Sequence, residues 1–259
     1  SSYVQRIDYS NDGTTTSPKG SLSSGRGYLA ATGSPSFGYF IGGEPGAKTT
    51  IDRLDFSSDT TNTSPKGNLD TGKYWSAGAS AQANAVVESM NLIPRIRWVD
   101  SAAEVPAEGP AYGYIAGGRT SSTNVSIVDR IDFSSDTSTA SPKGNLTDTT
   151  TRGAGFSSIS YGYVVGGFPN PPKTTVQRVD FSNDTATASL RTSLNTGMVR
   201  SSGVGNNNYG YQLGGYVTAE VSTVERVDFS NDLGTPSVKG SLSVAKRASG
   251  SAGTQSYGY

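Results

Sequence analysis

The sequence contains no cysteine and no histidine. Without cysteine there is no disulfide framework, no thiolate nucleophile and no cysteine-bound zinc. Without histidine there is no Ser–His catalytic pair, no imidazole base and no histidine-bound copper, zinc or iron. We therefore expect a non-enzymatic protein with no metal and no cofactor.

Net charge and long apolar runs are also missing. The 21 basic side chains balance the 21 acidic ones, which argues against a strongly basic nucleic-acid-binding surface. No apolar run approaches the roughly 18 residues of a membrane-spanning helix, so we expect no membrane span. The opening SSYVQRID is not a charged and then apolar leader, although its initial Ser is also consistent with trimming of a longer chain.

Large apolar residues are scarce. Val, Leu, Ile and Phe together make up 47 of the 259 residues. This share is below the roughly 20% under which a chain is suspected of being disordered. Disorder also requires a high net charge, which this chain does not have. The few apolar residues can form a core only if they recur in register, and a core shared between stacked sheets needs only a few per sheet.

Several motifs recur at a spacing of about 48 residues, which is typical of a repeat protein. An aromatic-Gly-Tyr motif occurs five times and is followed in its first four copies by a Gly pair. Lys-Gly-x-Leu occurs four times, and residues 191–194 (Arg-Thr-Ser-Leu) replace it in one copy. A basic residue then leads into a stretch of small residues. A further motif, Arg-x-Asp-aromatic-Ser-x-Asp, has these five Arg and first Asp residues: Arg6 and Asp8, Arg53 and Asp55, Arg130 and Asp132, Arg178 and Asp180, Arg226 and Asp228.

Each repeat predicts four short strands. A small-residue strand suits a crowded position, and the aromatic and β-branched YGYVVGG type of strand ends at a Gly pair that can take positive φ. The RxDF strand alternates, its Ser-Asn-Asp end is typical of a turn, and a short Ser/Thr/Ala strand follows. Four evenly spaced strands with a Gly motif in each unit indicate a β-propeller blade.

This pattern resembles the kelch repeat of galactose-oxidase-like propellers over the whole chain except about 84–110. The kelch Trp of the fourth strand is missing, with small or polar residues near Thr63, Ala140, Ala188 and Pro236, which argues against an animal kelch adaptor. The resemblance implies the fold without the oxidase chemistry, because His and Cys are absent. The combination of the motifs [FY]GYxxGG, R[IV]DFSND and KGxL is similar to repeats in virion and tail proteins of bacteriophages.

We predict an all-β, kelch-like propeller of five four-stranded blades, forming one domain over residues 1–259. The chain opens at an RxDF strand and stops at the YGY of residues 257–259. Residues 247–259 would therefore supply the missing half of the first blade and close the ring by joining the two ends of the chain. A larger ring is the alternative if the chain is a fragment.

An insertion at about 84–110 interrupts the third blade between its first two strands. It is the most apolar stretch outside the repeats and includes Ile96, Arg97 and Trp98. It could be an arm that docks on a partner, a remnant blade whose RWVDS echoes RxDFS, or a loop folded over the ring. We favour the docking arm, because exposed apolar patches often mark interaction sites.

The repeated polar residues have a structural and a functional interpretation. Arg and Asp of each motif could line a ligand site, but their presence in every repeat favours a role in joining strands and neighbouring blades. Five equivalent Asp-x-x-x-Asp turns favour capping over catalysis or calcium binding. The motif tyrosines could stack on sugars, but a core position with the hydroxyl reaching the rim is favoured.

Binding specificity is expected where the repeats differ, in the loops that follow the Gly pairs. The candidate contacts there are Arg119, Phe168, Lys173 and Tyr216, for which packing at the rim is the alternative. The leading hypothesis is a structural and attachment module of a phage tail or virion appendage, with other appendage subunits or a cell-surface glycan as partner, located in the virion or outside cells. The alternative is a secreted carbohydrate-binding lectin-type propeller.

Overall fold

The structure is a computed structural model, and it describes residues 2–6, 17–34, 36–80, 112–169, 171–248 and 251. These residues form an all-β, propeller-like arrangement of four four-stranded antiparallel sheets and one two-stranded sheet. We call the four-stranded sheets blades A to D in chain order and the two-stranded sheet the N-terminal half-blade. The predicted all-β class and the four-stranded blade are confirmed.

The strands follow one another in chain order within each sheet. The N-terminal half-blade consists of β1 (Tyr3–Arg6) and β2 (Ser17–Ser21). Blade A consists of β3 (Ala30–Gly33), β4 (Phe37–Ile41), β5 (Thr50–Asp55) and β6 (Ser64–Asn68). Blade B consists of β7 (Ala77–Ser80), β8 (Tyr112–Ala116), β9 (Ile127–Asp132) and β10 (Ser141–Asn145). Blade C consists of β11 (Ala154–Ser157), β12 (Tyr161–Val165), β13 (Thr175–Asp180) and β14 (Ser189–Ser193). Blade D consists of β15 (Ser202–Gly205), β16 (Tyr209–Tyr216), β17 (Glu220–Asp228) and β18 (Ser237–Val238).

The motifs take equivalent places in each blade. In blade C, Tyr163 pairs with Arg178, so the YGY strand lies directly beside the RxDF strand. The Gly pair ends the YGY strand with φ of 64° at Gly166 and 95° at Gly167, a region that L side chains rarely adopt. A 3-10 turn follows the RxDF strand in each of blades A to D, at Phe56–Ser58, Phe133–Ser135, Phe181–Asn183 and Phe229–Asn231.

The first strands of successive blades lie against one another. A Cβ added to Gly155 would lie 2.6 Å from the carbonyl oxygen of Gly78, and one added to Gly203 would lie 2.3 Å from that of Gly155. Side chains at these positions would overlap the backbone of the neighbouring blade. The prediction of a crowded small-residue strand is therefore confirmed.

The apolar core is divided among the interfaces between sheets. One cluster joins Tyr39, Ile41 and Ile51 of blade A to Ile115 and Ile131 of blade B. Equivalent clusters join blade B to C and blade C to D, and a smaller one joins the N-terminal half-blade to blade A. Because each interface needs only a handful of large apolar side chains, the low apolar content of the sequence is sufficient.

The predicted count of five four-stranded blades is wrong for the described residues, which contain four. The strands expected to complete the N-terminal half-blade come from residues 247–259, of which 249, 250 and 252–259 lie outside the described residues. The insertion at 84–110 lies outside them as well. Strands β7 and β8 on either side of it pair directly from Ala77–Ala116 to Ser80–Gly113, so it connects the first two strands of blade B, which is the third sheet in chain order.

Candidate binding site

The repeated Arg binds an Asp of the next sheet, not the Asp two positions along its own strand. Arg53 Nη1 of blade A lies 2.7 Å from Asp136 Oδ2 of blade B. The equivalent contacts are Arg6 with Asp59 at 2.7 Å, Arg130 with Asp184 at 2.7 Å and Arg178 with Asp232 at 2.9 Å. We call each such contact, with the groups around it, a blade junction.

The last tyrosine of the YGY motif completes the junction. The hydroxyl of Tyr163 donates to Asp232 Oδ2 at 3.0 Å, and its ring stacks on Phe229 of the next blade at 5.0 Å between centroids. Burial and the neighbouring Asp232 carboxylate raise the pKa of Tyr163, so the hydroxyl keeps its proton. The tyrosine is in the core, as the sequence indicates, but its hydroxyl binds a buried carboxylate and does not reach the rim.

The Lys-Gly-x-Leu motif also belongs to the junction. The backbone N–H of Gly144 donates to the carbonyl oxygen of Asp184 at 2.7 Å, and Lys143 Nζ lies 4.0 Å from the Asp184 carboxylate. In the copy that reads Arg-Thr-Ser-Leu, Arg191 binds the Asp232 carboxylate at 2.8 Å. Both versions of the motif therefore hold the following blade.

The first Asp of the RxDF motif caps the 3-10 turn. Asp180 Oδ1 accepts hydrogen bonds from the backbone N–H of Ser182 at 2.9 Å and from its hydroxyl at 2.7 Å. The Ser182 hydrogen bonds hold the pKa of Asp180 below its usual range. Asp55, Asp132 and Asp228 accept the same bonds, while Asp8 lies outside the described residues. No group of three or more acidic side chains in the described part of the chain is placed to hold a metal ion.

The repeated Arg also stacks on the first aromatic residue of the neighbouring YGY motif. The guanidinium carbon of Arg226 lies 4.0 Å from the Tyr209 ring centroid, and the same stacking occurs in blades A, B and C. In blades A to C the repeated Arg, the two Asp residues of its motif and the last Tyr of the YGY motif thus each have a structural partner. A ligand site must be sought among the residues that differ.

A second repeated feature is a backbone conformation that recurs at residues of different types. Five non-glycine residues in equivalent places take φ between 52° and 58°: Tyr28, Trp75, Arg152, Arg200 and Ala248. Positive φ is uncommon outside glycine, so its recurrence marks a built-in element. We call these five residues the collar.

The collar residues are joined in series by backbone hydrogen bonds. Each backbone N–H donates to the carbonyl oxygen of the preceding member: Trp75 to Tyr28 at 2.9 Å, Arg152 to Trp75 at 3.0 Å, Arg200 to Arg152 at 2.7 Å, and Ala248 to Arg200 at 2.7 Å. The side chains are therefore presented side by side from successive blades. Since the backbone makes the series, the side chains remain free to differ.

The collar corrects one part of the sequence interpretation. In the first four copies, the basic residues that precede the small-residue strands occupy two different places. Arg26 and Lys73 lie two residues before the collar, where they form buried ion pairs with Asp52 at 3.0 Å and Asp129 at 2.6 Å. Arg152 and Arg200, by contrast, are collar residues. Sequence spacing alone does not distinguish the two places, because a basic residue occurs in both.

Three of the predicted binding residues lie beside the collar in equivalent positions. Arg119, Phe168 and Tyr216 each follow a Gly pair and form a backbone bridge with the residue just before a collar residue. Arg119 also binds the Asn124 side chain at 3.0 Å. The structure thus brings these three predicted residues to one series of sites, and the adjoining collar residues are what the sequence analysis missed.

The remaining candidates are placed differently. Lys173 Nζ binds the Asp148 carboxylate and, at 2.7 Å, the carbonyl oxygen of Thr149, which gives it a structural partner in the segment between β10 and β11. Ile96, Arg97 and Trp98 lie outside the described residues.

A cavity of about 410 Å³ opens between the collar ends of blades C and D. Its lining includes Arg152, Arg200, Arg247, Phe168 and Tyr216. Two predicted contacts therefore meet three guanidinium groups, and the combination of flat apolar rings with fixed positive charges suits an anionic ligand.

The guanidinium groups of the cavity differ in whether a carboxylate balances their positive charge. Arg247 forms an ion pair with Glu220 at 3.2 Å. Arg152 instead stacks on Trp75, with its guanidinium carbon 3.7 Å from the ring centroid. Burial lowers the pKa of Arg152, and the charges of Arg200 and Arg119 lower it further. This part of the surface is therefore crowded with positive charge.

No helix in the described part of the chain has the length and apolar character needed to cross a membrane. No protein-family model matches the sequence, and no curated protein is significantly similar to it.

Proposed function

We propose that this protein is a non-enzymatic attachment module that binds a partner through the collar end of its blades. The observation that carries the proposal is that one set of residues holds the blades together and a different set lines the cavity. The repeated motifs hold the blades together, whereas the collar and the positions after the Gly pairs differ from blade to blade and frame a cavity. Loops on a rigid scaffold are the usual carriers of binding.

The setting proposed for this module is a phage tail or virion appendage. The similarity of its repeat motifs to repeats in phage virion and tail proteins supports this setting. Its partner is then a cell-surface glycan or another subunit of the appendage, outside cells. The kelch-like character of the blades is part of the same proposal.

Adsorption to cells tests the attachment function. Fluorescently labelled protein is incubated with host-candidate bacteria, and bound protein is measured with and without an excess of unlabelled protein. We expect saturable binding that unlabelled protein displaces. Absence of saturable binding, or turnover of a small molecule by the purified chain, would overturn the proposal.

We also propose that the ring closes with a fifth blade shared between the two ends of the sequence. Three contacts support it: the collar series reaches Ala248, the Ser251 hydroxyl donates to the carbonyl oxygen of Gly203 at 2.7 Å, and the N-terminal half-blade packs on blade A. In repeat position, Asp12 corresponds to the junction Asp of the other sheets, and Arg226 corresponds to their junction Arg.

A double-mutant cycle tests this closure. If Asp12 and Arg226 form the fifth junction, the double variant should lose less stability than the sum of the losses in Asp12→Ala and Arg226→Ala, because both single changes remove the same contact. Chemical denaturation measures the cycle, and sedimentation shows that the protein stays monomeric. Additive losses in a monomer would contradict the closed ring.

The second candidate function is a secreted carbohydrate-binding lectin. The observation that favours it is the aromatic lining of the cavity by Phe168 and Tyr216, since flat rings can pack on sugar rings. A glycan array tests it, with binding to free glycans in the absence of any virion component as the expected result.

A further inference from the structure

We propose that the cavity between blades C and D binds an acidic sugar residue, with its anionic group between Arg152 and Arg200 and its ring against Phe168 or Tyr216. This inference rests on the proposed attachment function and names the ligand class. It follows from the charge, the rigidity and the size of the cavity.

Unmatched positive charge is the first argument. Among the described residues, no carboxylate lies within ion-pair distance of Arg152 or Arg200, whereas Arg247 at the same cavity has Glu220. The Nε of Arg152 is buried and has no hydrogen-bond partner in the described part of the protein. Guanidinium groups bind carboxylate and sulfate oxygens through paired, charge-assisted hydrogen bonds.

The crowding of cations is the second argument. Arg152 loses hydration through burial and is repelled by Arg200 and Arg119, and both effects lower the pKa of its side chain. The blade junctions place a carboxylate beside the motif Arg of each of blades A to C, but the collar brings Arg152 and Arg200 together without one among the described residues. An anion in the cavity relieves that repulsion, so binding should favour charged ligands over neutral ones.

Aromatic contacts hold Arg152 and Arg247 in place before any ligand arrives. Arg152 lies over the Trp75 ring at 3.7 Å and 5.4 Å from the Phe168 centroid, and Arg247 lies 4.9 Å from the Tyr216 centroid. A cation fixed in this way loses less side-chain entropy on binding. The backbone N–H of Arg200 is already used in the collar series, so the anion must be bound by side chains.

Size and lining favour a sugar over an acidic peptide. A volume of about 410 Å³ is in the range of small-molecule pockets, which is roughly 300–1,000 Å³. A peptide with several carboxylates would need a longer groove to bury them. The rings of Phe168 and Tyr216 offer flat apolar surface for one face of a sugar, while the arginines take its acid group.

Isothermal titration calorimetry on the whole chain tests the proposal with four probes: sodium D-glucuronate, D-glucose 6-sulfate, D-glucose and triglutamate. We expect the two acidic sugars to bind and glucose to bind about tenfold more weakly or worse. Arg152→Gln and Arg200→Gln should each weaken glucuronate binding about tenfold. Lys48→Gln removes one positive charge from a loop of blade A and should change nothing.

The outcomes separate the possible ligands. Binding of glucuronate alone assigns a uronic acid, and binding of the sulfated sugar alone assigns a sulfated glycan; both support an acidic sugar. Tighter binding of triglutamate than of either sugar would overturn the proposal in favour of a peptide. Equal effects of Lys48→Gln and Arg152→Gln would overturn the site.

The cell-adsorption assay keeps this inference separate from the attachment function. If the protein adsorbs saturably to cells but binds neither acidic sugar, and Arg152→Gln adsorbs like the unaltered protein, then the ligand class is wrong and attachment stands. If adsorption itself is absent, the attachment proposal fails.

Discussion

At the blade junctions nearly the same side chains occur in every copy, whereas at the collar nearly every copy differs. Each junction joins an Arg to an Asp of the next sheet, as Arg130 joins Asp184. The collar shares a backbone conformation and a series of hydrogen bonds, but its side chains run from Tyr28 through Arg152 to Ala248.

The difference shows how a repeat protein can separate stability from recognition. At a junction the side chains themselves make the contact, so each copy must keep them. At the collar the backbone makes the contact, so the side chains can differ from copy to copy. Changes at the junctions should therefore cost stability, and changes at the collar should cost binding.

Removing a junction carboxylate is expected to have the largest effect. In Asp184→Ala, the buried hydroxyl of Tyr114, which lies 3.1 Å from Asp184, and the guanidinium of Arg130, at 2.7 Å, both lose their acceptor. Unpaired buried polar groups of this kind cost about 3 kcal/mol. Urea denaturation followed by circular dichroism measures the loss in free energy of unfolding.

Asp148→Ala is the matched control for this loss. The Asp148 side chain is 58% exposed and pairs with Lys173, so its removal should cost less than about 1 kcal/mol. If the two alanine variants are equally stable, the junctions do not hold the blades together.

The glycine of the Lys-Gly-x-Leu motif is expected to show the next largest effect. In Gly144→Ala, the new Cβ would lie 1.8 Å from the carbonyl oxygen of Ala186 in blade C. Overpacking of this kind costs about 2 kcal/mol. Blade C has Thr192 at the same place, with its hydrogen bond to Asp232 lengthened to 3.1 Å, which shows that the backbone can shift and limits the loss.

Gly27→Ala provides the comparison for this overlap. No heavy atom lies within 4 Å of a Cβ added to Gly27, so we expect its free energy of unfolding to change by less than about 0.5 kcal/mol. Thermal denaturation of both alanine variants checks the pair, and a loss at Gly27 as large as at Gly144 would refute the packing argument.

The sequence predicts the four strands of each blade because their motifs recur, and it predicts the crowded first strand because its residues are small. It does not predict the partner of Arg53, since Asp136 lies far along the chain in another copy. It misses the collar for a different reason. Trp75 and Arg152 share a backbone angle and no chemistry, and a positive φ leaves no mark in the sequence unless glycine occupies it.

A smaller effect is expected at the turn cap, and it should depend on pH. Asp180→Ala removes the acceptor of the Ser182 bonds and should cost about 1 kcal/mol near neutral pH. The pKa of Asp180 is lowered in the folded protein, so its contribution is complete above the ordinary aspartate pKa of about 4. That contribution is lost as the pH falls through the lower folded value.

Denaturant titrations at pH 7 and at pH 3 check this dependence. The gap in stability between Asp180→Ala and the unaltered protein should narrow in acid. Ser122→Ala, in an exposed loop, serves as the control whose small effect should not vary with pH. A gap that widens in acid would contradict the lowered pKa.

The smallest effect on stability is expected at the collar, where Arg152→Gln should change the free energy of unfolding by less than about 0.5 kcal/mol. The variant loses the stacking on Trp75, worth about 0.5–1 kcal/mol, but it also relieves burial of the charge and repulsion from Arg200 and Arg119. The two effects oppose each other. Arg130→Gln, which removes a junction guanidinium from Asp184, should cost about 2 kcal/mol in the same urea titration. Equal losses for the two variants would mean that the collar arginine is part of the scaffold, because a residue that does not hold the blades together can be removed at little cost to the fold.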